Sequence, residues 1–278
     1  MRNIRLLLAY DGSAYAGWQI QPDQPTVQGT IEAAIKRLSG ETVNVLSAGR
    51  TDAGVHALGQ VANFRTGSPI PPEKWRAALG DQLPTDIAIL ESDEVPWDFH
   101  ATFWAKSKRY RYVIANQVVD DPFLRRYAWR ISQPLDVAAM HVAAQRLIGM
   151  HDFRCFESHW PNKATSVRTV SHVSVRRHAG WSLWSGAPTG DQPTDTAVDD
   201  TSSDPFVSLE IEADGFLYNM VRAITGTLVN VGRGTWTADD VERILQAQDR
   251  SLAGGTAPAC GLYMAYVRYA AGDARTHD

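Results

Sequence analysis

Stretches of period-two alternation and stretches of helical period share both halves of this chain in no regular order. That irregular order limits the fold more than any other feature of the sequence. A doubly wound fold would need strand and helix to alternate. Here strand signals at residues 3–10, 43–47, 60–64, 87–90 and 102–114 surround only two helical stretches, one capped by Thr26 and one opened by Pro71-Pro72. In the second half, strand signals at 167–176, 181–184, 206–213 and 263–269 stand among helical ones at 135–148, 216–231 and 238–248. The pattern predicts an α+β fold with largely antiparallel sheets. We divide the chain into an N-terminal half, 1–105, and a C-terminal half, 106–278. With 44% apolar and 9% aromatic residues the chain can build a sizeable core.

No stretch approaches the roughly 18 apolar residues that a membrane span needs. The N-terminus begins like a signal peptide but reaches Tyr10-Asp11-Gly12 too soon, so it reads as a first strand. Cys155 and Cys260 lie far apart without metal-ligand spacing, which fits a reduced, cytoplasmic protein.

The net charge of −4 argues weakly against an RNA partner until it is resolved by region. Residues 185–214 hold eight carboxylates and no Lys or Arg; without those eight the charge becomes +4. The stretch 185–204, rich in Gly, Pro, Thr, Ser and Asp, reads as an acidic loop inserted between two strands. Basic residues cluster at Lys106, Lys108, Arg109 and Arg111 and again at Arg125, Arg126 and Arg130, with Tyr110, Tyr112, Tyr127 and Trp129 among them. Such interleaving suits phosphate contacts with base stacking. It equally suits a solvated strand face backed by aromatic packing.

The sharpest local feature is Gly49-Arg50-Thr51-Asp52-Ala53-Gly54-Val55-His56. Glycines permit tight turns and close approach of a ligand. An aspartate, ionised at neutral pH, can act as a nucleophile without an activating base. From spacing alone, however, Asp52 reads as a turn residue first. Asp52 and His56 lack a third metal ligand at a diagnostic spacing. A Ser/His/Asp triad stays open on spacing, without a nucleophile-elbow motif, and no phosphate-binding glycine motif points to a nucleotide cofactor. In the helix from 216, Arg222 shares a face with Tyr218, Gly226 and Val229. That face is too apolar for a simple solvent side, which suggests a partly buried Arg with a carboxylate partner, against the plainer reading of an Arg reaching out to the surface.

Taken in order along the chain, these segments resemble the TruA family of tRNA pseudouridine synthases. The segment 49–57 is similar to the family's catalytic motif. Tyr10-Asp11-Gly12, Gly17-Trp18-Gln19 and Thr26-Val27-Gln28 resemble its N-terminal motif, and Asp98–Ala101 with Lys108–Tyr112 the next block. His151–Phe153, Arg168–Val170, Phe216–Arg222 and Gly261–Tyr263 continue the likeness, which spans about residues 3–270.

The resemblance implies two α+β halves joined side by side, with the active-site cleft between them. It implies an enzyme that detaches uracil from ribose, rotates it and rejoins it through carbon 5, at uridines 38, 39 and 40 of the tRNA anticodon stem-loop. Asp52 would be the nucleophile. Arg50 would stabilise the flipped-out state, and Tyr110 would pack on the target base and share in a later proton transfer. Arg222 would pair with Asp52, and Leu262 would line the pocket. The family works without a cofactor and as a homodimer. Two other readings remain, an RNA-binding module without catalysis and a hydrolase built on Asp52. The intact Asp52, Arg50, Tyr110 and Arg222 weigh against the first. The lack of a second carboxylate near the motif weighs against the second.

Overall fold

The computed structural model describes residues 1–158, 165–179 and 204–270. The 181–184 strand and nearly all of the acidic stretch 185–204 lie outside the described residues. The chain divides into two compact units, Met1–Lys108 together with the chain from Tyr263 onward, and Arg109–Leu262. Both are α+β, as the mixed periodicity predicts. The division at 105/106 needs one correction: the last strand belongs to the first unit, although it follows the second in sequence. Its reason is strand pairing.

In the first unit β1 (Arg2–Tyr10) pairs antiparallel with β3 (His56–Thr66) and with β4 (Ile87–Val95). The short β2 (Leu46–Ser47) pairs antiparallel with β3. The other edge of β3 is taken by β10 (Leu262–Arg268), in parallel, with Tyr263 opposite His56. Ile4, Leu6 and Leu8 alternate inward along β1 and are fully buried, each contributing about 1.5–3 kcal/mol by leaving water. Helix α1 (Val27–Ser39) starts on the Thr26 side chain, which accepts from the Gly29 N–H, and ends at Gly40 in the left-handed region, as its sequence signals foretell. Pro71 and Pro72 open a short 3-10 turn into α2 (Trp75–Gly80), and Trp75 meets Phe64 edge-on at 5.0 Å. A second cluster, Ala48, Val61, Val95, Phe99, Ala101 and Tyr269, completes the core.

In the second unit the strand order is β5 (Ser107–Ala115), β9 (Phe206–Ala213), β8 (Val167–His178), β7 (Gly149–Asp152), with β6 (Trp129–Arg130) parallel to β5. The β9–β8 and β8–β7 pairs are antiparallel. Helix α3 (Val137–Gln145) packs on β8 and on α4 (Met220–Gly232) and α5 (Ala238–Ala247). The predicted helix from Phe216 begins only at Met220, because Asn219 takes a left-handed φ of 61° and interrupts it.

This unit also shows what Arg109 and Arg111 of the basic cluster pair with. Arg109 and Arg111 stand on one face of β5, where Glu212 lies 2.7 Å from Arg109 and Glu210 lies 2.6 Å from Arg111. Period-two alternation turns Tyr110 and Tyr112 to the opposite, buried face. The interleaving therefore serves packing and ion pairing within the sheet. Two carboxylates counted with the acidic stretch thus pair with two arginines of the basic cluster.

Candidate active site

The Asp52 loop leaves β2 and returns as β3, and several of its main-chain groups are held by bonds within the first unit. Ala48 N–H donates to Val61 O at 2.8 Å, and the buried Gln60 amide donates to Gly49 O at 2.7 Å. Trp18 N–H donates to Thr51 O at 3.0 Å, and the Tyr10 and Thr51 hydroxyls lie 2.8 Å apart. Val55 N–H closes a turn on Asp52 O at 3.1 Å, with Gly54 at φ 75° in its third position, where a side chain would be strained. Gly54 N–H in turn reaches Tyr15 O at 3.3 Å.

Two of the N-terminal glycines explain why that segment belongs with the loop. A Cβ at Gly12 would stand 2.0 Å from Val55 O. At Gly17, where φ is 99°, it would stand 2.6 Å from Thr51 O. The segments 10–12 and 17–18 are thus a clamp closed directly on the backbone of 51–55. Asp52 itself is half-buried and Arg50 exposed.

His56 is turned to structure. It is buried, its ring stacks on Tyr263 at 4.7 Å and 18°, and its Nδ1 is 3.1 Å from both Gly12 N and Asp11 Oδ1. The nitrogen either accepts from the first or, when protonated, donates to the second, and both bonds tie β3 to the 10–12 segment. Burial pushes the Tyr10 hydroxyl up to about 12, partly offset by its bonds to Thr51 and Gln60, so at neutral pH Tyr10 serves as a donor or acceptor and not as a base. Lys108, one of the basic cluster, also reaches this loop. Its side chain runs along Gly49, whose Cβ would stand 3.6 Å from the Lys108 chain.

The other sequence-selected residues lie in the second unit. Tyr110, on β5, is buried and meets Phe216 edge-on at 5.0 Å. Arg222 is partly buried in the first turn of α4. Its Nε donates to Ala257 O and its Nη1 to Asn219 Oδ1, both at 2.7 Å, while Ala257 N–H returns to Arg222 O at 3.1 Å. The odd face of this helix is accounted for nearby: a Cβ at Gly226 would stand 1.8 Å from Gly255 O, so the segment 254–257 lies directly on it. Leu262 is buried at the start of β10, one residue before the tyrosine that stacks on His56.

Asn219 went unnoticed. Its side chain does not cap α4; it accepts from Arg222 and donates to Ser158 Oγ at 3.0 Å. In the sequence it lies inside the helix expected from 216, where an Asn carries no sign of this role.

The first unit thus commits much of its structure to holding the backbone of the one loop that carries Asp52. A family model described as tRNA pseudouridine synthase matches residues 7–103 and 143–270, a span that takes in Asp52, Arg222 and Leu262. A tRNA pseudouridine synthase A of Acetivibrio thermocellus is 46% identical over 269 residues, covering 97% of this chain and 100% of the relative. One of Moorella thermoacetica is 47% identical over 268 residues, 96% and 99% of the two chains. One of Thermoanaerobacter is 43% identical over 269 residues, 97% and 100%. The chain belongs to the tRNA pseudouridine synthase family.

Proposed function

We propose that this chain isomerises uridine to pseudouridine at positions 38, 39 and 40 of the tRNA anticodon stem-loop, with Asp52 as the nucleophile. The observation that carries the reading is the complete loop 49–56, anchored at Gly49, Thr51, Asp52 and Gly54 so that Asp52 is offered from a fixed backbone. The reaction is balanced without a co-reactant. The C1′–N1 bond breaks, a C1′–C5 bond forms, N1 gains a proton and C5 loses one. Attack of the carboxylate at C1′ and addition at C6 both start from ionised Asp52 and both return it unchanged. The target nucleotide must leave its stack, at a cost of a few kcal/mol.

In this reading Arg50, exposed beside Asp52, stabilises the flipped state. Tyr110, held by Phe216, packs on the base and joins the later proton transfer. Arg222, oriented by Ala257 and Asn219, supplies a cation to the reaction, and Leu262 gives the base an apolar wall. The enzyme works in the cytoplasm, without a cofactor and as a homodimer; a single-chain mass in sedimentation would remove the dimer.

Asp52→Asn is expected to abolish product while leaving tRNA affinity within about twofold, because the carboxylate acts in chemistry and not in phosphate binding. Turnover within tenfold of the parent would rule out Asp52 as nucleophile. Pseudouridine mapping of tRNA from cells lacking the chain, with parent or Asp52→Asn restored, identifies the sites; pseudouridine persisting at positions 38–40 in the absence of the chain would overturn the assignment.

A further inference from the structure

We propose that Phe103, backed by His100, is a stacking platform for an unpaired base of the RNA, a contact apart from the residues assigned to catalysis. It rests on the reading of tRNA as substrate. Phe103 is 79% exposed, and its ring centroid lies 4.2 Å from that of His100, the planes tilted by 36°. Single exposed apolar residues are ordinary. What sets this one apart is how much buried structure holds it still.

Asn3 and Asn63 are each 1% exposed and joined by a 2.9 Å bond from Asn63 Nδ2 to Asn3 Oδ1. Buried amides are costly unless satisfied. These spend their remaining groups on the backbone that leads to Phe103: Asn3 Nδ2 donates to Pro96 O and Phe99 O at 3.0 Å, and Asn63 Oδ1 accepts from Ala101 N–H at 2.9 Å. Tyr269 donates to Ala101 O at 2.7 Å, and Thr102 Oγ1 donates at 2.6 Å to Ser47 O, two residues ahead of Gly49. Thr102 N–H donates to His100 Nδ1 at 3.2 Å, which fixes the imidazole against the phenyl ring. The aromatic pair is therefore pre-organised and tied to the strand that enters the catalytic loop, so that binding orders little.

Local charge chooses which part of RNA this surface suits. Asp98, exposed in the same segment, repels phosphate, and the nearby Arg65 guanidinium already lies 4.2 Å over Trp97. A flat, uncharged ring among such neighbours suits the face of a base, with Lys106 three residues on for the adjoining phosphate.

The test uses the full chain, Phe103→Ala, Phe103→Leu and Phe103→Tyr, with a labelled unmodified tRNA transcript. Stacking of one base corresponds to a roughly tenfold loss of affinity in the Ala and Leu variants, restored by Tyr, with KM raised and kcat kept. The slope of log affinity against log salt should not change, since no phosphate contact is lost. Affinities within twofold of the parent, or a slope reduced by about one, would overturn the platform. A change of sedimentation mass without loss of RNA affinity would overturn it too and make the surface a protein contact. If the parent neither binds nor converts tRNA, the substrate reading fails; if the parent does and Phe103→Ala matches it, only the platform fails.

Discussion

Gly17 and Asn219 both occupy left-handed backbone, and they illustrate opposite uses of it. At Gly17 the absence of a side chain lets the Trp18 N–H reach Thr51 O, and any Cβ would collide with that oxygen. Gly17→Ala should therefore destabilise by about 1–3 kcal/mol through strain, and should lower turnover further by displacing 51–53; a parent-like melt and rate would show that the clamp is not needed. Asn219 accepts a strained φ while its amide oxygen orients Arg222. Asn219→Gly relieves the backbone and loses the anchor. It is expected to keep or raise the melting temperature while lowering kcat, a split that damage to folding alone would not produce. In the sequence, the glycines were visible as turn residues and Asp52 as a turn aspartate. Only the ordered series of motifs lifted Asp52 above that reading. Nothing in the letters distinguishes an Asn that caps a helix from one that breaks it and holds an Arg instead.

At the scale of elements, legibility followed the strength of periodicity. Helices α1 and α5, with Thr26 and a Thr237–Asp240 capping box at their starts, stand close to their predicted places. Thr237→Ala should cost about 1 kcal/mol of stability, read in a denaturant titration, with activity unchanged at 25 °C. Strands β6 and β7 were missed because two and four residues are too few to show alternation. The two readings of the basic cluster could not be told apart because sign and clustering are visible in a sequence whereas cross-strand partners are not.

The β5–β9–β8 face also carries a pH dependence. His172 and His178 sit below the ordinary imidazole range, chiefly through burial and then through Arg109 and Arg111 respectively, with Glu210 opposing. Their folded pKa values are depressed, so the unfolded chain binds more protons below about 6.5. The stability they contribute is complete above that pH and is lost as pH falls toward the folded values. The denaturation midpoint should decline from pH 7 to 5.5, and the slope should flatten in a His172→Gln, His178→Gln double variant; an equal slope in both proteins would refute the linkage.

On the scale of the whole molecule, α+β was legible and the ownership of the final strand was not. Sequence order places residues 263–270 with the second half, but a parallel pairing to β3 and a ring stacked on His56 place them with the first. Removing the chain after Leu262 should leave that edge of β3 unpaired and the His56 ring uncovered, and is expected to give an insoluble product or a melt at least about 10 °C lower, on the scale of a few kcal/mol in a chain of this size. The same return has a consequence for synthesis. Strand β3 and its aspartate loop leave the ribosome ahead of Arg109–Leu262, yet their last neighbour follows only after all of that segment has been made. At ordinary elongation rates that delay is on the order of 10–30 s. The Asp52 loop is thus translated before the second unit and finished only after it, and during that interval the nascent chain carries an open strand edge for ribosome-associated chaperones to shield.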